Sequence, residues 1–179
     1  AGKPADDATF QFLHDRVQQA ASSMLSEEER NAVHAKIGYN LWLHANGAER
    51  DDRIFEICNH LGQGRYFLPE AQKAQLPALN LQAGKKALEA TAYGPALNYL
   101  EAGIAALPPD AWSSVYETYL DLYTDKAQGQ YLSGDAAGAS DTLQYALERS
   151  RRRVDKMRIL LIFVEMYTSQ HLHEKAVDT

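Results

Sequence analysis

Gly84, Ala96, Gly103 and Pro108 follow one another at intervals of 12, 7 and 5, and Ala127, Ala139 and Ala146 repeat the 12 and the 7. Few patterns constrain a chain more. Small residues at these offsets let two antiparallel helices touch backbone to backbone, and then let the next pair stack on top. The chain therefore reads as a stacked helical array. Arrays of this kind usually hold partners and seldom carry out chemistry.

The spacing resembles the rhythm of tetratricopeptide-type helical repeats. The step from Gly84 to Ala127 is 43 residues, longer than the usual ~34, so the register slips by a longer helix. Pro77 fits this frame. Counting back from Gly84 as position 8 puts it at position 1, where proline is tolerated.

The same frame places the elements. Ser26 followed by Glu29 is a capping box, and its helix runs to about His44 and stops near Asn46-Gly47. A third helix spans about Asp51–Leu61, and Pro69 opens a fourth. The first full pair is Pro77–Thr91 and Pro95–Leu107, with Tyr93-Gly94-Pro95 as its turn. A long helix to about Leu132 and a second over Ala136–Arg149 form the next pair, and another begins near Arg152–Val154 and runs to about Gln170. Ala176 lies 12 residues after Val164, where a further helix starts. At the front, Thr9–Phe12 alternates like a short strand and Asp15 to about Ala21 reads as a helix. Residues 1–8 read as disordered. Both ends read as cut, so the chain is expected to be a fragment.

Composition bounds the partners. Hydrophobic residues make up 45% of the 179, enough for a continuous core, and the formal net charge is −6. That balance argues against a general nucleic-acid or anionic-membrane binder. Cys58 is the single cysteine, so no internal disulfide forms and a reducing, cytoplasmic setting is the natural expectation. The longest apolar run, Ile159–Val164, is far too short to span a bilayer.

Several stretches carry a family resemblance. They are Phe10–Ala21, Ile37-Gly38, Asn59-His60-Leu61, Leu79–Ala87, and Tyr99–Gly103 with Leu107-Pro108. Together they resemble the segment that follows the AAA/STAND-type ATPase module in large multidomain signalling kinases, both serine/threonine and sensor histidine kinases. The resemblance covers about residues 10–179. It implies that residues 1–24 are a remnant or linker from a preceding winged-helix region and that residues 25–179 form the helical-repeat domain. Phe12-Leu13-His14-Asp15 is similar to the winged-helix His-Asp motif of that ATPase superfamily, which implies that His14 and Asp15 contact the nucleotide state in a parent protein. The alternative reading of the pair is an ordinary helix start, with Asp15 favoured by the dipole. No glycine-rich phosphate loop ending in Lys-Ser/Thr occurs, so nucleotide binding by this chain itself is not expected.

Repeat arrays bind through the concave face made by the first helix of each pair. That face offers Leu81, Lys85 and Leu88 from the first pair, Asp121, Gln128 and Tyr131 from the second, and Arg158 and Glu165 from the third. The competing reading is a face that is solvated or covered by neighbouring domains. Trp112, Tyr116, Tyr119 and Tyr123 recur at four, three and four, one stripe of a helix that reads as packing more than as a groove. Arg149 and Arg151–Arg153 read as a solvated helix end. His171, His173 and Glu174 have metal-ligand chemistry but a spacing that points them apart on a helix.

The sequence thus predicts an all-α, tetratricopeptide-like superhelical array of about eight helices in antiparallel pairs, with a short winged-helix remnant at the N-terminus. The expected function is a non-catalytic protein-interaction or sensor segment coupling partner or ligand binding to an adjacent signalling ATPase or kinase. A free-standing protein-binding or oligomerisation module is the alternative. No cofactor or metal is expected. The expected partner is a protein or a neighbouring domain of the same chain, or a second copy in a homodimer, and neither nucleic acid nor membrane.

Overall fold

The computed structural model describes residues 24–169. Among these the chain is entirely helical, with no strand. The strand and helix expected over Thr9–Ala21, the winged-helix remnant, the His171–Glu174 cluster and Ala176 lie outside the described residues.

Helix α1 (Glu27–His44) begins where the capping box predicts. The Ser26 hydroxyl accepts from the Glu29 amide at 3.2 Å, and the Ser26 amide donates to the Glu29 carboxylate at 2.9 Å. Asn46 and Glu49 build a second capping box for α2 (Gly47–Asp52). The sequence expected one helix from about Asp51. Instead the chain breaks at Arg53 and restarts as α3 (Ile54–Gln63), because the Asn46 cap nucleates a turn earlier than the apolar stripe begins. A 3-10 turn (Arg65–Phe67) and one helical turn, α4 (Glu70–Lys73), follow.

Helix α5 (Leu76–Glu89) carries Pro77 in its first turn, where the missing amide proton costs no helical bond. Its partner α6 (Tyr93–Ala105) starts two residues before the expected Pro95. The turn is therefore Ala90–Ala92 and not Tyr93–Pro95, with Thr91 at φ +57°. Pro95 sits in the first turn of α6, where its ring is accommodated. The expected long helix before Leu132 is interrupted at Val115 into α7 (Ala111–Ser114) and α8 (Tyr116–Leu132). The Asp110 carbonyl accepts from the Ser113 amide at 2.8 Å and the Ser113 hydroxyl at 2.9 Å, which fixes α7 as a single turn. Gly134, at φ +95°, turns the chain into α9 (Ala136–Arg149), capped by the Asp135 carboxylate on the Gly138 amide at 2.9 Å. Helix α10 (Arg153–Ser169) is the last described element.

Successive long helices run antiparallel. In α5 and α6 the backbone of Gly84 faces Leu100, and Gly103 faces Asn80 and Pro77. In α8 and α9 the Tyr119 hydroxyl meets that of Tyr145 at 3.0 Å, and Gln130 meets Thr142 at 2.7 Å. Gly38 of α1 abuts Leu61 of α3, and Gly64 abuts the backbone of Ala35. Between the two later pairs, Gly103 receives Leu122, and Gly129 receives Leu88 and Leu97. The small residues singled out from the sequence thus lie at helix contacts: Ala96, Ala127, Ala139 and Ala146 are all fully buried. Apolar packing gathers into one cluster on α1, α3 and α5, around Ile54, Ile57 and Leu61, and another on α8–α10, around Leu120, Leu143 and Ile159.

The aromatic stripe packs as the sequence suggested. Trp112 stacks on Tyr119 at 4.3 Å between ring centres, Tyr119 on Tyr123 at 4.6 Å, and Tyr123 on Tyr145 of α9 at 4.9 Å. The α1–α3 pair is pinned differently. His34 and His60 bring their Nδ1 atoms to 2.7 Å, so one imidazole donates its proton to the other.

Two consequences can be measured. A Cβ at Gly64 would overlap the backbone of Ala35, whereas one at Gly62 meets open space. Gly64→Ala should lower stability by about 2–3 kcal/mol, while Gly62→Ala should raise it by up to ~1 kcal/mol, both read from urea unfolding. The histidine pair has a pH signature. Burial, then the adjacent His34, hold His60 below its ordinary range, with Glu56 and Arg53 acting on it in opposite directions. The unfolded chain therefore takes up a proton before the native state does, and stability falls as pH drops below about 6.5. His60→Gln should show a shallower loss of melting temperature from about pH 7 to about pH 5.

Candidate functional site

Helices α5, α8 and α10 run parallel, and each brings one side chain to a shared face. The Lys85 ammonium of α5 sits 3.1 Å from the Asp121 carboxylate of α8, and the Arg158 guanidinium of α10 donates to the other oxygen of Asp121 at 2.7 Å. Arg158 also reaches the Thr124 hydroxyl at 3.4 Å. Burial works against a charge on Asp121, yet the hydrogen bonds from Arg158 and Lys85 hold its carboxyl below the usual carboxylate range. Three of the residues expected on the concave face, Lys85, Asp121 and Arg158, thus form one ion network.

Asp125, one turn further along α8, was not among the expected residues. It is 8% exposed, its Oδ2 lacks a hydrogen bond, and Lys85 approaches that oxygen only to 3.8 Å. Burial pushes its carboxyl up to about 6; Lys85 opposes the rise and Asp121 adds to it. The sequence carries no separate signal for it: Asp121 and Asp125 lie one helical turn apart, and spacing alone does not say which of the two is covered.

Beside the network lies a pocket of about 310 Å³, lined by Asp51, Leu81, Gln82, Lys85, Lys86 and Glu89. Asp51 of α2 closes one side, accepting from Lys86 at 3.1 Å and Gln82 at 3.2 Å. Those contacts keep its carboxyl low, the Lys86 hydrogen bond most of all. The lining mixes two cations, two anions and an amide with the aliphatic Leu81 and Ala78.

The remaining expected residues scatter. Leu88 is half-buried against Gly129. Gln128 and Glu165 are exposed. Tyr131 is half-buried and packs against the α8–α10 apolar cluster. His14 and Asp15 lie outside the described residues. The basic run is engaged at its own helix ends. Arg149 lies 3.7 Å over the Tyr145 ring. Arg152 forks onto Asp155 at 2.8 and 2.9 Å, and the Tyr116 hydroxyl donates to the same carboxylate at 2.6 Å. Among the described residues no three His, Cys, Asp or Glu side chains are arranged to hold a metal ion, and no helix is long and apolar enough to cross a membrane.

Comparison with known proteins gives a narrow result. No family model matches the chain, and no solved structure matches it. A curated protein of Dictyostelium discoideum, hybrid signal transduction histidine kinase G, is 25% identical over 194 aligned positions. The alignment takes in 94% of this chain and 6% of that kinase's length. This distant similarity to a short stretch of a histidine kinase points to a signalling-related segment.

The buried acid sets a measurable pH dependence. The unfolded chain loses the Asp125 proton near pH ~4, while the native state keeps it to about 6. Stability therefore falls as pH rises across that window, and the loss persists above it. Asp125→Asn should flatten this fall and be more stable at neutral pH by on the order of 2 kcal/mol. Asp121 has the opposite sign: its carboxyl is held low, so its contribution disappears only as pH drops toward and below the usual carboxylate range.

Proposed function

We propose that this chain is a tetratricopeptide-like helical-repeat segment of a cytoplasmic signalling protein, where it acts without catalysis to couple a protein or peptide partner to an adjacent ATPase or kinase. One observation carries the reading: α5, α8 and α10 run parallel and present a shared face on which Lys85, Asp121 and Arg158 tie three helices together beside an open pocket. A partner seated there touches several helices at once, so it can favour one arrangement of the stack over another. The shift it produces is bounded by its difference in affinity for the two arrangements.

The signalling context is supported by the similarity to the Dictyostelium kinase. The neighbouring ATPase, and a nucleotide-state role for His14 and Asp15, rest on the sequence resemblance alone. A neighbouring domain of the same polypeptide is a natural occupant of the face, since contacts between domains of one chain resemble transient protein interfaces.

The test uses the intact signalling protein that carries this segment. Leu81→Gln with Gln128→Arg alters the face without touching the ion network. Stimulated phosphorylation or ATPase activity should change by about fivefold, the low end of ordinary coupling, with the melting temperature little changed. Unaltered activity both in this double variant and after removal of residues 76–169 would end the proposal.

A further inference from the structure

Helix α10 buries one face and leaves the opposite one open. Ile159, Phe163 and Met166 are buried in the apolar cluster with α8 and α9. At about 3.6 residues per turn, Val154, Met157, Leu161 and Val164 fall on the other side of the helix. They are 74%, 63%, 67% and 36% exposed, and no element among the described residues covers them. Apolar side chains gathered in one exposed patch mark an interaction surface. Their spacing of three, four and three is that of the a and d positions of two successive heptads.

The stripe has a charged border. From Arg151 to Arg158 stand five cations and one acid, Asp155, in a chain of formal net charge −6. Three of the cations are engaged. Arg152 is held by Asp155 and Glu117, Arg158 by Asp121, and Arg151 lies over the Tyr116 ring at 5.5 Å. Arg153 and Lys156 are exposed and pair with no acid among the described residues. Both lie along one edge of the stripe, and Arg158 lies along the other.

Shape and charge together select an occupant. A stripe confined to a and d positions is the narrow seam of a helix pair, whereas the face that sinks into a lipid surface is wider. The negative net charge also opposes an anionic membrane. A second copy of this chain is a poor match. Side by side in parallel, its α10 sets cation against cation, and in antiparallel register the described remainder of the helix offers a single acid, Glu165. We propose that this face of α10 docks an amphipathic helix of a partner protein, apolar at a and d and acidic at the positions beside Arg153 and Lys156. The apolar residues supply the contact, and the two free cations choose the partner and its register. The surface is separate from the α5 pocket, and its occupant is recognised independently of the coupling role proposed above.

Two fluorescein-labelled peptides, titrated with the full 179-residue chain and followed by fluorescence anisotropy, test this. Each is three heptads long with leucine at a and d; one carries glutamate at e and g, the other lysine. The glutamate peptide should bind about tenfold more tightly than the lysine peptide, and the preference should shrink as salt rises. Met157→Asp with Leu161→Asp should weaken the glutamate peptide about tenfold. Both residues are exposed, so the melting temperature should change little. Arg153→Glu with Lys156→Glu should erase the preference between the peptides, a change that general apolar stickiness would not show. Equal binding of the two peptides, or binding of neither, would overturn the proposal. So would a dimer in sedimentation that Leu161→Asp dissolves, which would give the face to a second copy. Capture by phosphatidylserine vesicles without peptide binding would overturn it too, giving the face to a lipid surface.

Discussion

Everything in this molecule depends on helices approaching more closely than ordinary side chains allow. Gly84 admits Leu100, Gly103 admits Leu122, Gly38 admits Leu61, and Gly64 lies on the backbone of Ala35. Each is a leucine or a backbone entering the space a Cβ would occupy, and close packing leaves no slack to move it elsewhere. The direction and register of α5, α6 and α8 follow from these contacts. So does the charged face, because Lys85 can reach Asp121 only if α5 and α8 are held in parallel at short range.

The ion network itself adds little to stability. Lys85 and Arg158 are roughly half exposed on their side chains, and pairs of that kind contribute about 0–1 kcal/mol. Their effect is to set the offset between helices: Asp121 fixes α8 against α5 on one oxygen and against α10 on the other. Asp125 works in the opposite sense. A buried carboxylate with an unpaired oxygen costs free energy, and it sits where a small change in helix spacing would decide whether Lys85 reaches it.

Much of this was legible in the chain. The small-residue spacing located the helix contacts, the Ser26–Glu29 pair located the start of α1, and Pro77 located that of α5. The aromatic stripe was readable because a helix repeats its neighbours every three to four residues. What escaped was local competition. The Asn46 cap and the Asp110 carbonyl each nucleate a separate short helix, α2 and α7, inside what periodicity alone joins into one. Asp125 was passed over because sequence alone gives an acid next to another acid no sign of which one is buried.

The helix contacts join neighbours along the chain: α1 with α3, α5 with α6, α6 with α8, α8 with α9, α9 with α10. Short loops between touching elements make chain closure cheap in entropy. A polypeptide wired this way forms its tertiary structure quickly, since the search for distant segments is small.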